Sequence, residues 1–140
     1  MRRSAIALIP VLALVVLGFA RADSDVTFDP QFANITCACT PGNNPQVQPA
    51  RIGMTRQDNI VWRVNGQLAT SFVISPKDPE NWLFDQLSFT GTPAQPATTP
   101  SPRASALPNH PYAYMVTIQC ADGSTQVIDP DIVIGEAQDF

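Results

Sequence analysis

The residues with the most distinctive chemistry are Cys37, Cys39 and Cys120, with His110, Met54 and Met115 as further soft or titratable groups. In an oxidising compartment, cysteines default to a structural disulfide. Cys37 and Cys39 lie two apart in a β-rich run, so on a strand they share a face. A bridge between them would strain the extended backbone, which makes Cys120 the partner of one of them. Cys39 stands just before Thr40-Pro41-Gly42 and Cys120 just before a turn, which favours Cys39–Cys120 over Cys37–Cys120. The remaining thiol is either buried and inert or paired with another molecule, and its place on a β-strand favours burial. Closing a loop of about 80 residues stabilises by about 4 kcal/mol in the chain-entropy picture. The competing chemistry is a soft-metal site, suited to Cu(I), built from the three cysteines, His110, Met54 and Met115. The spacing is not that of a zinc motif, and the expectation is that no metal or cofactor is bound.

Catalytic sets are poor. With one histidine, any Ser-His-Asp or Cys-His arrangement must recruit His110 from a Pro-rich loop, which does not preorganise it. The paired carboxylates Asp129/Asp131 and Asp78/Glu80 read as solvated turns, since no further oxygen ligands follow at calcium-loop spacing. Asn34-Ile35-Thr36 matches a short glycosylation acceptor pattern. Trp82 and Phe84, after Lys77-Asp78-Pro79-Glu80-Asn81, offer an aromatic edge for a ligand, with partial burial the more ordinary reading. There is no glycine-rich phosphate cradle.

The elements that position these groups are short, β-rich and separated by Pro, Gly, Asn and Asp, with no sustained helical period after residue 22. Strands are expected near Val26–Phe28, Phe32–Cys39, Arg51–Thr55, Asn59–Val64, Leu68–Ser75, Leu83–Phe89, Tyr112–Cys120, Thr125–Ile128 and Ile132–Ile134. This density predicts an all-β fold, a single antiparallel Greek-key sandwich. Asn65-Gly66 suggests a hairpin. A three-residue loop there gathers Ile60, Trp62, Val64, Leu68, Phe72 and Ile74 on one face. Burial at about 1.5–3 kcal/mol per large side chain outweighs turn preference, so this register is expected. A second hairpin turns at Asp122-Gly123, where a two-residue loop pairs Cys120 with Thr125 and Ile118 with Val127. It places Tyr112, Tyr114, Val116, Ile118 and Cys120 on the core side. Asp129-Pro130 interrupts the return strand, and Ile132 and Ile134 resume its apolar side. Residues 90–111 hold six prolines among Thr, Ala and Ser, and read as a loose, polyproline-like loop.

The N-terminus reads as an export signal. Arg2 and Arg3 precede an apolar run from Ala5 to Ala20, and Ala20-Arg21-Ala22 supplies a small-x-small cleavage pattern. Cleavage is placed after Ala22, with Gly18-Phe19-Ala20 as the competing site. The run is about 16 residues, short of the roughly 20 a spanning helix needs. The chain of 140 residues thus divides into a signal peptide (1–22) and one domain (23–140), with the Pro-rich loop at 90–111. Removing Arg2, Arg3 and Arg21 leaves 5 basic against 12 acidic residues, a net charge of −7. Such acidity argues against nucleic acid and anionic membrane surfaces as partners. Apolar content of 44% with 14% charge is too apolar for a disordered chain.

Two patches resemble the cupredoxin family. Asp58-Asn59-Ile60-Val61-Trp62-Arg63-Val64-Asn65 is similar to the strand in which an acidic turn precedes an alternating apolar-Trp run. His110-Pro111-Tyr112-Ala113-Tyr114-Met115-Val116 resembles the later strand whose two aromatics lead into a copper ligand. Val116 stands where copper-binding members carry Cys, and the other His and Met ligands of the family have no counterpart here. The resemblance therefore implies a cupredoxin-like sandwich without a type 1 copper site, beside an immunoglobulin-like alternative. The resulting expectation is a non-enzymatic module, periplasmic or secreted, with a binding or structural role in the cell envelope and an unknown protein or small ligand as partner. A copper- or soft-metal-handling protein is the alternative.

Overall fold

The computed structural model describes residues 31–135. The signal segment 1–22, its cleavage site and the expected strand Val26–Phe28 lie outside them. The described residues form ten strands and no helix: β1 (Gln31–Thr36), β2 (Gln46–Gln48), β3 (Arg51–Met54), β4 (Ile60–Val64), β5 (Ala69–Pro76), β6 (Phe89–Gly91), β7 (Ala97–Thr98), β8 (Pro111–Cys120), β9 (Thr125–Ile128) and β10 (Asp131–Ile134). One sheet has the order β2-β1-β4-β7. The other has the order β3-β10-β8-β5-β6, with β9 also paired to β8.

The sheets are mixed, not purely antiparallel as expected. β1 runs parallel to β4, and β3 runs parallel to β10. Parallel neighbours need long connections. The chain between β1 and β4 supplies one by adding β2 to the first sheet and β3 to the second.

The expected β4–β5 hairpin does not form. β4 lies between β1 and β7, while β5 lies between β8 and β6 in the other sheet. The two ends of the Asn65–Leu68 link are fastened to different layers. Asn65 N–H donates to the Ile35 carbonyl at 2.8 Å, and Ala121 N–H donates to the Leu68 carbonyl at 2.8 Å. Ile60, Trp62, Val64, Phe72 and Ile74 are buried because the two strands face each other across the sandwich, and Leu68 at the crossing is 47% exposed.

The second hairpin forms with its register shifted by one residue. Ile118 opposes Gln126 and Gln119 opposes Thr125, where Val127 and Cys120 were the expected partners of Ile118 and Thr125. The loop has three residues, since Cys120 N–H donates to the Ser124 carbonyl at 2.9 Å and Gly123 closes the turn at φ +86°. Asp122 Oδ1 accepts from both the Ser124 N–H and hydroxyl, at 2.9 and 2.6 Å. The shift turns Val127 to solvent, where it is 55% exposed. β10 continues this register along the same edge of β8, with Asp131 opposite Ala113. At the interruption Tyr114 N–H donates to the Pro130 carbonyl at 3.1 Å, and Pro130 has no N–H to return.

The core fills the space between the sheets. Tyr114, Val116 and Ile118 of β8 are fully buried, as are Ile132 and Ile134 of β10. Trp62 packs against Tyr114 edge-on at 5.8 Å and against Phe89 at 6.1 Å. Its Nε1–H donates to the Tyr114 hydroxyl at 3.2 Å, which satisfies both polar tips in the dry interior. Burial pushes the Tyr114 hydroxyl well above the usual tyrosine pKa.

The expected strand Leu83–Phe89 reduces to Phe89–Gly91, because residues 82–84 turn inward as an aromatic plug instead. Trp82, Leu83 and Phe84 are buried, and Trp82 and Phe84 meet edge-on at 5.4 Å. The Pro-rich stretch is pinned as well, contrary to the loose loop expected. β7 pairs with β4, and Ala97 and Ala106 are buried. Thr99 exchanges bonds with Ile60: its N–H donates to the Ile60 carbonyl and its Oγ1 accepts from Ile60 N–H, both at 3.0 Å.

Candidate binding cleft

Cys39 and Cys120 are joined by a disulfide with a Cα–Cα separation of 5.6 Å. It ties the turn after β1 to the end of β8 and so links the two sheets. Such a bond belongs to an oxidising environment. Cys37 departs from expectation. β1 ends at Thr36, and Cys37 and Cys39 adopt φ of 57° and 60°, so they share no strand face. Cys37 is exposed, because the turn carries its side chain away from the core.

The remaining soft groups are dispersed. Met54 is buried on β3, Met115 lies on the face of β8 away from Tyr114, and His110 precedes β8 at the end opposite Cys120. Among the described residues no three His, Cys, Asp or Glu side chains are grouped to hold a metal. Asp131 and Asp129 serve ion pairs, to Arg51 at 2.7 Å and to Lys77 at 3.1 Å. Asn34 sits mid-strand between Gln48 and Arg63.

Where β5 ends and β8 begins, loops form an open cleft of 410 Å³, lined by Asp78, Asn81, Arg103, Ser105, His110 and Tyr112, with Leu107 at its rim. A second lobe of 160 Å³ shares Asp78, Asn81, His110 and Tyr112 and extends toward Lys77. Each wall is fixed from below. Lys77 N–H donates to the Ala113 carbonyl at 3.1 Å, which holds the segment after β5 against β8. Asp78 then closes an Asx turn, accepting from Glu80 N–H at 3.2 Å and from Asn81 Nδ2 at 2.6 Å. The Asn81 bond, with smaller help from the backbone, holds the Asp78 carboxyl below the usual aspartate pKa. The aromatic plug at 82–84 anchors this wall in the core.

The opposite wall comes from the Pro-rich stretch. Arg103 N–H donates to the Leu83 carbonyl at 2.9 Å, and the Arg103 carbonyl accepts from Ala106 N–H at 3.0 Å. The Tyr112 hydroxyl accepts from Leu107 N–H at 2.6 Å. Asn109 takes the left-handed conformation at φ 55° and donates to the Ile134 carbonyl at 2.7 Å. His110 then meets the Tyr112 ring edge-on at 4.8 Å.

Comparison with known proteins finds no matching family model, curated protein or solved structure. What the cleft offers is its own chemistry: an unpaired cation, a fixed carboxylate, an amide, a hydroxyl and an imidazole around one opening. Sequence reasoning missed Arg103, Ser105 and Asn81 as a group. The available signal was Arg103 itself, the one Lys, Arg, Asp or Glu between residues 90 and 111.

The 320 Å³ groove beside Val47, Ile128 and Pro130, between β2 and the β9–β10 link, differs in kind. Its one charged lining residue is Asp129, already paired with Lys77. Apolar walls there give a ligand little orientation, whereas the cleft presents several directional groups.

Proposed function

We propose that the chain is an exported, non-enzymatic β-sandwich module that binds a small polar ligand in the Asp78–Arg103–His110 cleft. The carrying observation is that cleft, whose 410 Å³ lies within the roughly 300–1,000 Å³ of small-molecule sites. Its polar groups sit on loops whose backbones are hydrogen-bonded to β8, to β10 and to the buried 82–84 segment. The connectivity of the cleft supports a non-enzymatic role. Asp78 is engaged by Glu80 and Asn81, and no hydrogen bond among the described residues joins His110 to Ser105 or Asp78. A nucleophile–base–orienter chain needs such links.

Residues 1–22 act as the signal peptide in this reading, and the protein works in the periplasm or outside the cell, as a binding or structural part of the envelope. The disulfide supports that compartment. A cupredoxin-like Greek-key arrangement is part of the proposal. Its support is that the two resembling patches meet in the core through the Trp62–Tyr114 bond.

The test is a two-dimensional amide NMR titration with fractions of a small-molecule extract, followed by mass spectrometry of the recovered ligand. Saturable shifts at Asn81, Ser105 and His110 with the ligand recovered unchanged are expected. Chemical conversion of the ligand defeats the non-enzymatic reading, and shifts confined to other surfaces defeat the cleft. N-terminal sequencing of the protein from the extracytoplasmic fraction is expected to begin at Asp23.

A further inference from the structure

The charge balance of the cleft specifies its guest more closely. Five basic residues lie in the described chain, and four are engaged. Arg51 forks onto Asp131 with two bonds of 2.7 Å, and Lys77 meets Asp129 at 3.1 Å. Arg56 donates to the Ala104 carbonyl at 2.7 Å, and Arg63 lies 4.7 Å over the Phe32 ring. Arg103 has no such side-chain partner among the described residues, and its Nε is buried and unpaired. Its backbone is fixed on both sides, which roots the side chain in the cleft wall. A planar guanidinium of this kind recognises planar oxyanions, and this one is the described cation left without a protein partner beside the cleft.

Across the opening stands Asp78, kept ionised by Asn81. One cation facing one carboxylate disfavours a phosphate dianion, which would meet Asp78 with two like charges and find a single Arg. A carboxylate monoanion seated on Arg103 avoids that conflict if the rest of the guest is neutral and hydroxylated. Asp78 and Asn81 retain acceptor capacity for hydroxyl groups, and Ser105 supplies a further donor–acceptor. Leu107, 59% exposed at the rim, offers an apolar surface for the C–H face of a ring. We propose that the cleft binds a sugar acid, with Arg103 holding its carboxylate and Asp78 and Asn81 reading its hydroxyls. This inference rests on the binding-module reading and sharpens it.

The experiment titrates galacturonic acid, galactose and a galacturonic acid trimer into the exported protein, with affinity read calorimetrically and location by amide shifts. Galacturonic acid is expected to bind about tenfold or more tighter than galactose, the increment of one charge-assisted pair. Arg103→Gln is expected to abolish that preference while leaving the thermal midpoint and the disulfide intact. Arg103→Lys, which keeps the charge and loses the fork, recovers part of it. Tighter binding of the trimer assigns the site to an acidic polysaccharide and equal binding to the free acid, and either supports the proposal. Equal affinity for galactose and galacturonic acid overturns the sugar-acid inference while leaving a binding cleft. An unaltered preference in Arg103→Gln also overturns it, as does absence of binding by all three probes.

Discussion

The space between the sheets and the cleft beyond the ends of β5 and β8 both draw on those two strands, yet they treat polar groups in opposite ways. In the core, the polar tips of Trp62 and Tyr114 bond each other, and Thr99 completes the backbone of Ile60. In the cleft, Arg103 keeps a shielded donor unpaired, and charged groups face water without neutralising each other. The first arrangement serves stability, where an unmet buried donor costs about 1–3 kcal/mol. The second leaves interaction free energy for a guest. Substitutions in the two regions are therefore expected to separate into effects on unfolding and effects on binding.

The largest loss is expected from Trp62→Ala, about 3–5 kcal/mol by urea unfolding, because the rings of Phe89 and Tyr114 pack against a fully buried indole. Cys120→Ser removes a link across 81 residues and is expected to cost about 2–5 kcal/mol in the same measurement. Gly91→Ala follows at about 1–3 kcal/mol, since an added Cβ lies 2.6 Å from Phe72 Cε1 and 2.9 Å from the Ala97 nitrogen. Tyr114→Phe strands the Trp62 N–H and is expected to cost about 1 kcal/mol. That variant also carries a pH signature. The folded hydroxyl titrates above the unfolded one, so wild-type stability falls as pH rises past about 10, where only the unfolded chain ionises this group. The Phe variant is expected to lack this contribution in unfolding curves collected across that range. Arg103→Gln closes the series, with no loss of stability, since it removes an unmet buried donor and breaks no bond of the fold. A loss at Arg103 as large as that at Tyr114 would erase the distinction between the two regions.

The sequence made burial legible wherever strands alternate. Tyr112, Tyr114, Val116, Ile118 and Cys120 are all buried along β8, and the Pro130 break falls between β9 and β10. Alternation identifies which side of a strand is dry without naming its neighbour. Ile60 and Phe72 look alike whether their strands pair side by side or face each other across a sandwich, and the Asn65-Gly66 dipeptide favoured the wrong choice. The same limit hid the parallel pairs, which depend on where a distant segment docks. Pro-rich composition suggested looseness because its anchors are single residues, Ala97, Thr99 and Ala106, that form no periodic pattern. The cleft escaped notice for a related reason. Its walls come from sequence separations of 22 to 34 residues, such as Asn81 to Arg103 and Asp78 to Tyr112, and only the fold brings them together.

Cys37 has a practical consequence. The other two cysteine sulfurs are joined to each other, so its exposed thiol is a unique chemical handle on the chain. It sits near Cys120, at one end of β8, while His110 adjoins the other end, ten residues and about 30 Å away. A maleimide-coated sensor chip would thus capture every molecule in one orientation, with the recognition face turned outward into the flowing sample.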